Sequence, residues 1–141
     1  MTTARLHFDM VVIGFGKGGK TLAGAYAKTG KNVALIEQSS DMYGGTCINI
    51  GCVPTKALVH RADEFRASGE HNAVIFRDKL TGAMRAKNRE IIESNATAKL
   101  IDGHARFLSD TEVEVTAAED KLVVTADCFI INTGAVATIP P

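Results

Sequence analysis

Short apolar runs and glycines alternate through the first quarter of the chain. Residues 9–13 and 32–36 are rich in valine, isoleucine and other apolar side chains, as parallel strands that are buried on both faces are. Residues 17–28 lie between them, with Leu22 and nearby apolar positions at helical spacing, and a glycine two residues later is a natural stop. The pattern predicts a strand, a helix and a second strand, which is half of a β-α-β unit.

The hydrophobic period changes along the rest of the chain. Helices are predicted up to about residue 66 and over residues 78–95, with a connection over 68–72 between them. Further strands are predicted over residues 99–101, 105–108, 112–116, 122–126 and 128–132. Residues 112–116 and 122–126 alternate apolar and polar side chains, as half-exposed antiparallel strands do. We therefore expect an α/β fold with a parallel sheet and a small antiparallel β-meander.

Composition narrows the classes of protein that this chain can be. The 141 residues are enough for one domain, and the 16 basic and 16 acidic residues balance. This balance argues against nucleic acid or an anionic membrane as partner. The apolar runs have strand length, far short of a membrane span, and residues 1–9 lack the pattern of a signal peptide. Three cysteines are too few for a secreted disulfide scaffold. We expect a cytoplasmic protein in which paired thiols are catalytic.

Two cysteines, Cys47 and Cys52, stand five positions apart in a segment rich in glycine. Five residues of regular helix rise by roughly 7.5 Å, and a disulfide needs Cα atoms within about 7 Å. The segment must therefore bend if the thiols are to pair, and Gly51 offers a permissive backbone. Pro54 fits the first turn of a helix, which places Cys52 near a helix N-terminus, where a thiolate is favoured. The alternatives are two unrelated buried thiols and, more weakly, a zinc site, for which a second ligand pair is missing.

A glycine turn follows the first predicted strand directly. Gly14, Gly16 and Gly19 form G-x-G-x-x-G, with Gly18 inside it, just before the first helix. Such a turn lets the backbone approach a pyrophosphate at the helix N-terminus. Glu37 ends the next strand about 20 residues further on, where a carboxylate can bind an adenosine ribose. The alternative is a glycine-rich turn followed by an acid with no such role. The turn alone does not separate FAD from NAD, but a flavin held beside a dithiol makes an electron relay, which favours FAD.

These stretches together resemble the class I pyridine nucleotide-disulfide oxidoreductases, a family that includes glutathione reductase, dihydrolipoamide dehydrogenase and mercuric reductase. The resemblance rests on the glycine turn, Glu37 and residues 44–56, 103–107 and 131–135. Residues 44–56 are its specific part, because the glycine turn occurs in many families. Within the family, residues 13–21, 43–56 and 129–135 are most similar to a bacterial branch associated with resistance to reactive chlorine and with reduction of copper ions.

The resemblance implies a role for each matching residue. Cys52 corresponds to the thiolate beside the flavin, Cys47 to the outer thiol that meets the substrate, and Lys56 to a lysine near the reactive edge of the flavin ring. Further contacts with FAD are implied for Gly45, Thr46, His104, Ala105, Thr133 and Gly134. The resemblance thus implies a Rossmann-like FAD-binding domain, with electrons passing from NAD(P)H through FAD to a Cys47–Cys52 disulfide and on to a small-molecule or metal-ion acceptor.

The family pattern also contains parts that this sequence lacks. Members of the family carry an NAD(P)-binding domain and a C-terminal dimerisation domain, and the complete enzyme is expected to be a homodimer. We therefore expect residues 1–141 to be the N-terminal part of an incomplete FAD-binding domain, inactive alone. The alternative is a truncated, non-catalytic nucleotide-binding fragment.

Four other residues are candidates for weaker roles. Cys128 begins an apolar strand and is expected to be a core residue and not a third redox thiol. His7, His60 and His71 lack ligand spacing and are expected to be surface or packing residues. No metal site is predicted.

Overall fold

A computed structural model of the protein describes residues 4–68, 72–118 and 120–140. Its strands are β1 (Ala4–Ile13), β2 (Val33–Glu37), β3 (Ala98–Asp102), β4 (His104–Ser109), β5 (Glu112–Ala117) and β6 (Asp120–Ile131). Its helices are α1 (Lys17–Ala27), α2 (Thr46–Asn49), α3 (Cys52–Ser68) and α4 (Ala73–Glu93), with a 3₁₀ turn over Ser40–Met42.

The six strands form one sheet in the order β3-β2-β1-β6-β5-β4. The pairs β3–β2, β2–β1 and β1–β6 are parallel, whereas β6–β5 and β5–β4 are antiparallel. This arrangement confirms the predicted parallel sheet with an antiparallel meander, and it shows that the two are continuous. Because β1 and β2 are neighbours in the parallel part, the loops that follow them open at the same edge of the sheet.

Strand β6 corrects the prediction of two strands over residues 122–126 and 128–132. It is one strand, paired with β1 along its length and with β5 over its first half. The ladder with β1 continues from Phe8↔Ala126 to Met10↔Cys128. The change of hydrophobic period near Asp127 therefore marks a change within one strand, and not a turn.

Two predicted elements begin earlier than expected. Strand β1 begins at Ala4 and not at residue 9, because its first half pairs with the start of β6. Helix α4 begins at Ala73 and not at residue 78, and its first turn exposes Val74 and Ile75, which hides the amphipathic pattern there. Of the predicted connection over residues 68–72, residues 69–71 lie outside the described part of the chain.

Two apolar clusters cover the two faces of the sheet. The cluster on the side of α1 and α4 contains Met10, Val12, Phe15, Ala23, Ala27, Val33, Leu35, Tyr43 and Ile92. The cluster on the other face contains Phe8, Val11, Ile13, Ala34, Ile36, Ile101, Val113, Val115, Val124 and Ala126. Neighbouring residues of one strand, such as Val11 and Val12, fall in different clusters, as the alternation of a strand requires. Burial of both faces fixes the register that positions the loops at the edge of the sheet.

Within the described residues, every helix is too short or too polar to cross a membrane.

Candidate functional site

The glycine turn connects β1 to α1 at the edge of the parallel strands. Gly14 has φ of +103°, and its amide donates to the carbonyl of Ile36 at 2.8 Å, which ties the turn to β2. Gly16 precedes the first residue of α1, and no side chain caps that end of the helix. The amides of the first helical turn are thus left without a side-chain acceptor, and together with the helix dipole they suit an anion.

Glu37 lies at the end of β2, and its carboxylate is held by two backbone amides. Oε2 accepts from the amide of Phe15 at 2.9 Å, and Oε1 accepts from the amide of Ser39 at 3.1 Å. A carboxylate offers about four acceptor sites, so both oxygens can still accept from hydroxyl groups of a ligand. The side chain is positioned in advance for that role.

A cleft of about 260 Å³ opens between the turn, β2 and the start of β4. It is lined by Ile13, Gly14, Ile36, Glu37, Gln38, Gly103, His104, Ala105 and Thr133. The fold thus brings together five of the residues proposed to bind the cofactor. Gly134 is exposed and does not line this cleft.

Gly103 and Gln38 line the cleft but were not among the predicted site residues. A Cβ on Gly103 would lie 2.7 Å from Val115 Cγ1, at φ of +151°, so glycine is required where β3 passes into β4. Because Gly103 directly precedes His104, the sequence could have indicated Gly103 as a site residue. Gln38 could have been found only from its place next to Glu37.

The segment with the two cysteines begins with two glycines in left-handed conformation. Gly44 has φ of +91° and Gly45 has φ of +82°. A Cβ on Gly45 would lie 2.7 Å from the Cα of Gly16, so this segment packs directly on the glycine turn. Thr46, which follows, is the exposed first residue of α2.

The bend between the cysteines differs in one respect from the prediction. Cys47 lies in α2 and Cys52 is the first residue of α3, which confirms its expected place at a helix N-terminus. Gly51, however, is not among the glycines with positive φ, so it does not supply the bend through a left-handed conformation. Instead, the amides of Ile50 and Gly51 both donate to the Thr46 carbonyl at 2.9 Å, which tightens the chain and ends α2.

The Cys47 and Cys52 side chains are free thiols, exposed and adjacent. The pKa of the Cys47 thiol is raised above its usual value. Hydrogen bonding with Cys52 is the largest cause, and desolvation is the second. The positive charges of Lys17 and Lys56 oppose this rise in pKa. The two thiols therefore interact in the folded chain, as expected for a dithiol that can close.

Three lysines lie around this dithiol. Lys56 follows Cys52 by four residues in α3, so the two lie on the same face of that helix. Lys20, in α1, has a pKa lowered by burial and by the charge of Lys17, while the nearby Cys47 raises it. The Lys20 Nζ donates to Asn88 Oδ1 in α4. Sequence reasoning singled out Lys56 but assigned no such place to Lys17 or Lys20.

Asn49 holds the short helix α2 from inside. Its Nδ2 donates to the carbonyls of Tyr43 at 3.1 Å and Gly45 at 2.9 Å, and its Oδ1 accepts from Arg85 Nη1 at 3.2 Å. Asn88 is buried and lies against Gly44. Helix α4 thus anchors the segment that carries Cys47, an arrangement without any local sequence signal.

Tyr43 connects the segment that carries the two cysteines to the sheet. Its ring packs against Phe15, with centroids 5.2 Å apart, and its hydroxyl donates to Asp102 Oδ1 at the end of β3. Burial and the Asp102 carboxylate raise the pKa of Tyr43 to about 12. Arg89 lies 5.7 Å from the ring centroid. Tyr43 therefore remains a neutral hydrogen-bond donor over the whole physiological pH range.

The structure contradicts the prediction for Cys128, whose side chain is exposed and not part of the core. Helices α1 and α4 pack mainly on β1, β2 and β3. The Cys128 side chain on β6 is therefore left exposed, although its strand is apolar. His7 and His60 are exposed, as expected for surface residues, whereas His71 lies outside the described residues.

Within the described ranges, no three His, Cys, Asp or Glu side chains are grouped so that they could hold a metal ion.

Comparisons with known proteins agree with this geometry. The family model of pyridine nucleotide-disulphide oxidoreductases matches residues 8–141. The chain is 43% identical over 134 residues to the probable pyridine nucleotide-disulfide oxidoreductase RclA of Escherichia coli (strain K12), covering 95% of this chain and 30% of that protein. It is 34% identical to a dihydrolipoyl dehydrogenase of Corynebacterium glutamicum, covering 92% of this chain and 30% of that protein.

A solved structure of the HOCl-induced flavoprotein disulfide reductase RclA from Escherichia coli, as a Cu(II) complex, superposes with a TM-score of 0.87 at 41% identity. The match covers 100% of this chain and 31% of the RclA chain. The chain therefore spans about a third of the length of these relatives. The predicted resemblance and the α/β fold are confirmed. The chain belongs to the pyridine nucleotide-disulphide oxidoreductase family.

Proposed function

We propose that this chain is the flavin-binding and dithiol-bearing part of an FAD-dependent, NAD(P)H-linked disulfide oxidoreductase. One observation carries the proposal: the adjacent thiols of Cys47 and Cys52 lie on a segment that packs against the glycine turn, with Gly45 against Gly16. A nucleotide-binding turn and a dithiol at one edge of a sheet are the two components that such an enzyme requires.

The residues at this edge have the chemistry to hold FAD. The amides at the start of α1 suit the diphosphate, and the Glu37 carboxylate suits ribose hydroxyls. We assign adenine to His104 and Ala105, and the remaining contacts to Gly45, Thr46, Gly18, Thr133 and Gly134. When bound, FAD would accept a hydride from NAD(P)H and supply an electron pair at the dithiol.

The dithiol would store that electron pair. Oxidation removes two electrons and two protons from Cys47 and Cys52 and forms one S–S bond, and reduction by two electrons and two protons breaks it. Cys52 is the first residue of α3, and Cys47 lies in the short helix before it. Interaction with Cys52 raises the pKa of Cys47, while Lys17 and Lys56 place positive charge nearby.

The acceptor is proposed by analogy. The relatives include an HOCl-induced disulfide reductase whose structure was solved as a Cu(II) complex. We propose that the complete enzyme passes electrons to an oxidised small molecule or a metal ion in oxidant or metal-ion defence, and that it is a cytoplasmic homodimer. The NAD(P)-binding and dimerisation domains would be supplied by chain outside residues 1–141.

Binding of FAD to the purified chain tests this proposal. We expect yellow flavin to co-elute, or added FAD to bind with quenching of its fluorescence. Glu37→Gln should weaken binding, because the carboxylate is lost from the cleft, whereas Gly24→Ala, in open space on α1, should not. A colourless chain that does not bind added FAD would contradict the proposal and favour a non-catalytic fragment.

A further inference from the structure

Asn132 follows β6 directly and lies against the glycine turn. Its amide donates to the Ile13 carbonyl at 2.8 Å, and its Nδ2 donates to the Gly14 carbonyl at 3.1 Å. One residue therefore bonds both to the end of β1 and to the first glycine of the turn. The side chain is partly buried there.

The space next to Gly16 is filled by Asn132. A Cβ on Gly16 would lie 2.9 Å from Asn132 Nδ2, and the next two nearest atoms also belong to that side chain, at 3.7 and 3.8 Å. Gly16 has φ of −70° and ψ of 168°, a conformation open to any residue. The backbone itself therefore does not require glycine at position 16.

Gly19 provides a contrast. A Cβ there would lie 2.6 Å from Asn132 Nδ2, but also 2.7 Å from Val12 Cγ1 and 3.0 Å from the Gly14 carbonyl oxygen. Removal of the Asn132 side chain would leave two of these three close contacts. The three atoms nearest to an added Cβ at Gly16 all belong to Asn132, whereas those nearest to an added Cβ at Gly19 also belong to Val12 and Gly14.

We propose that Asn132 is a positioning residue for the diphosphate-binding turn. Its side chain occupies the space beside Gly16 and holds the Gly14 carbonyl, which fixes the path of the turn leading into α1. A Cβ at position 16 would displace the Asn132 amide from this place. The identity of the ligand as the diphosphate of a dinucleotide rests on the proposed function, whereas the coupling between positions 16 and 132 does not.

A double-mutant cycle in the whole chain tests the coupling. We expect Gly16→Ala to lower the urea midpoint of the wild-type chain more than that of the Asn132→Ala chain, where only the preference for glycine over alanine at the helix N-cap remains. Gly19→Ala should lower the midpoint in both backgrounds. An equal loss for Gly16→Ala with and without the Asn132 side chain would overturn the proposal. If Asn132→Ala does not fold, Asn132→Ser provides the same comparison with a shorter polar side chain.

Binding of FAD to folded variants tests the positioning role. We expect Asn132→Ala to raise the Kd by roughly tenfold, as loss of one organising hydrogen bond does. Asn132→Asp should raise it further, because it removes the donor to Gly14 and adds a negative charge near the turn. The control is Asn95→Ala, which removes a similar bond to the Ile91 carbonyl, 2.7 Å long, at the end of α4.

The two arms have separate outcomes. An unchanged Kd in Asn132→Ala would overturn the positioning role. If the wild-type chain does not bind FAD, the proposed function fails, and the urea cycle alone upholds or overturns the role of Asn132 in shaping the turn.

Discussion

The glycine turn (residues 14–19) and the dithiol segment (residues 44–56) meet at one edge of the sheet but are held differently. The turn is bounded by backbone and short side chains, so close that added carbon atoms at Gly14 or Gly19 would overlap neighbouring atoms. The dithiol segment leaves Cys47 and Cys52 exposed and depends on polar bonds from Asn49. The turn is therefore sensitive to added volume, whereas the dithiol segment beyond Gly45 is sensitive to lost hydrogen bonds.

The largest effect is expected where the two regions touch. Gly45→Ala would place a Cβ 2.7 Å from the Gly16 Cα at φ of +82°. Because backbone must move and the conformation is strained, we expect a loss of about 3 kcal/mol in the free energy of unfolding, measured by urea denaturation.

Gly24→Ala is the matched control for that variant. Gly24 lies within α1 with nothing within 4 Å of an added Cβ. It should gain up to about 1 kcal/mol from helix propensity. Equal stability of the two alanine variants would show that Gly45 is not packed tightly against the glycine turn.

The next effect concerns hydrogen bonds of the dithiol segment. Asn49→Ala leaves the carbonyls of Tyr43 and Gly45 and the Arg85 guanidinium without this partner. We expect a loss of about 2 kcal/mol in unfolding free energy and faster alkylation of Cys47 in the native state. Unchanged alkylation would mean that Asn49 stabilises the fold without holding α2.

Tyr43 connects the two regions and gives a pH-dependent test. Its pKa of about 12 in the folded state lies above the ordinary 10.0, so its contribution is complete below pH 10 and is lost between pH 10 and 12. Tyr43→Phe should lose about 1 kcal/mol at neutral pH and should lack this part of the alkaline decline. Tyr26→Phe should keep the decline, and an identical decline in both variants would contradict the assignment.

The smallest effect concerns the thiols themselves. Cys52→Ala removes the hydrogen bond and the charge that raise the pKa of Cys47, while Lys17 and Lys56 remain. We expect the pKa of Cys47 to fall, so that iodoacetamide alkylates it severalfold faster at mildly alkaline pH. An unchanged rate would show that the two thiols do not interact.

Sequence reasoning predicted what depends on local pattern. The strand, turn and helix around Gly14, the carboxylate of Glu37 and the helix that begins at Cys52 all depend on short stretches of chain. Hydrogen bonds between residues far apart in the sequence could not be predicted from local pattern. Asn132 bonds Gly14 across 118 residues, and Lys20 meets Asn88 across 68. The exposure of Cys128 depends on which strands the helices cover, which local hydrophobicity does not encode.

Disulfide mapping in the folded chain shows directly whether Cys47 and Cys52 form a reversible pair. The reduced chain is treated with one equivalent of diamide, free thiols are alkylated, and the peptides are identified by mass spectrometry. We predict a Cys47–Cys52 disulfide that dithiothreitol reopens, with Cys128 alkylated throughout. A disulfide that involves Cys128, or alkylation of both Cys47 and Cys52 after oxidation, would show that Cys47 and Cys52 are not a redox pair.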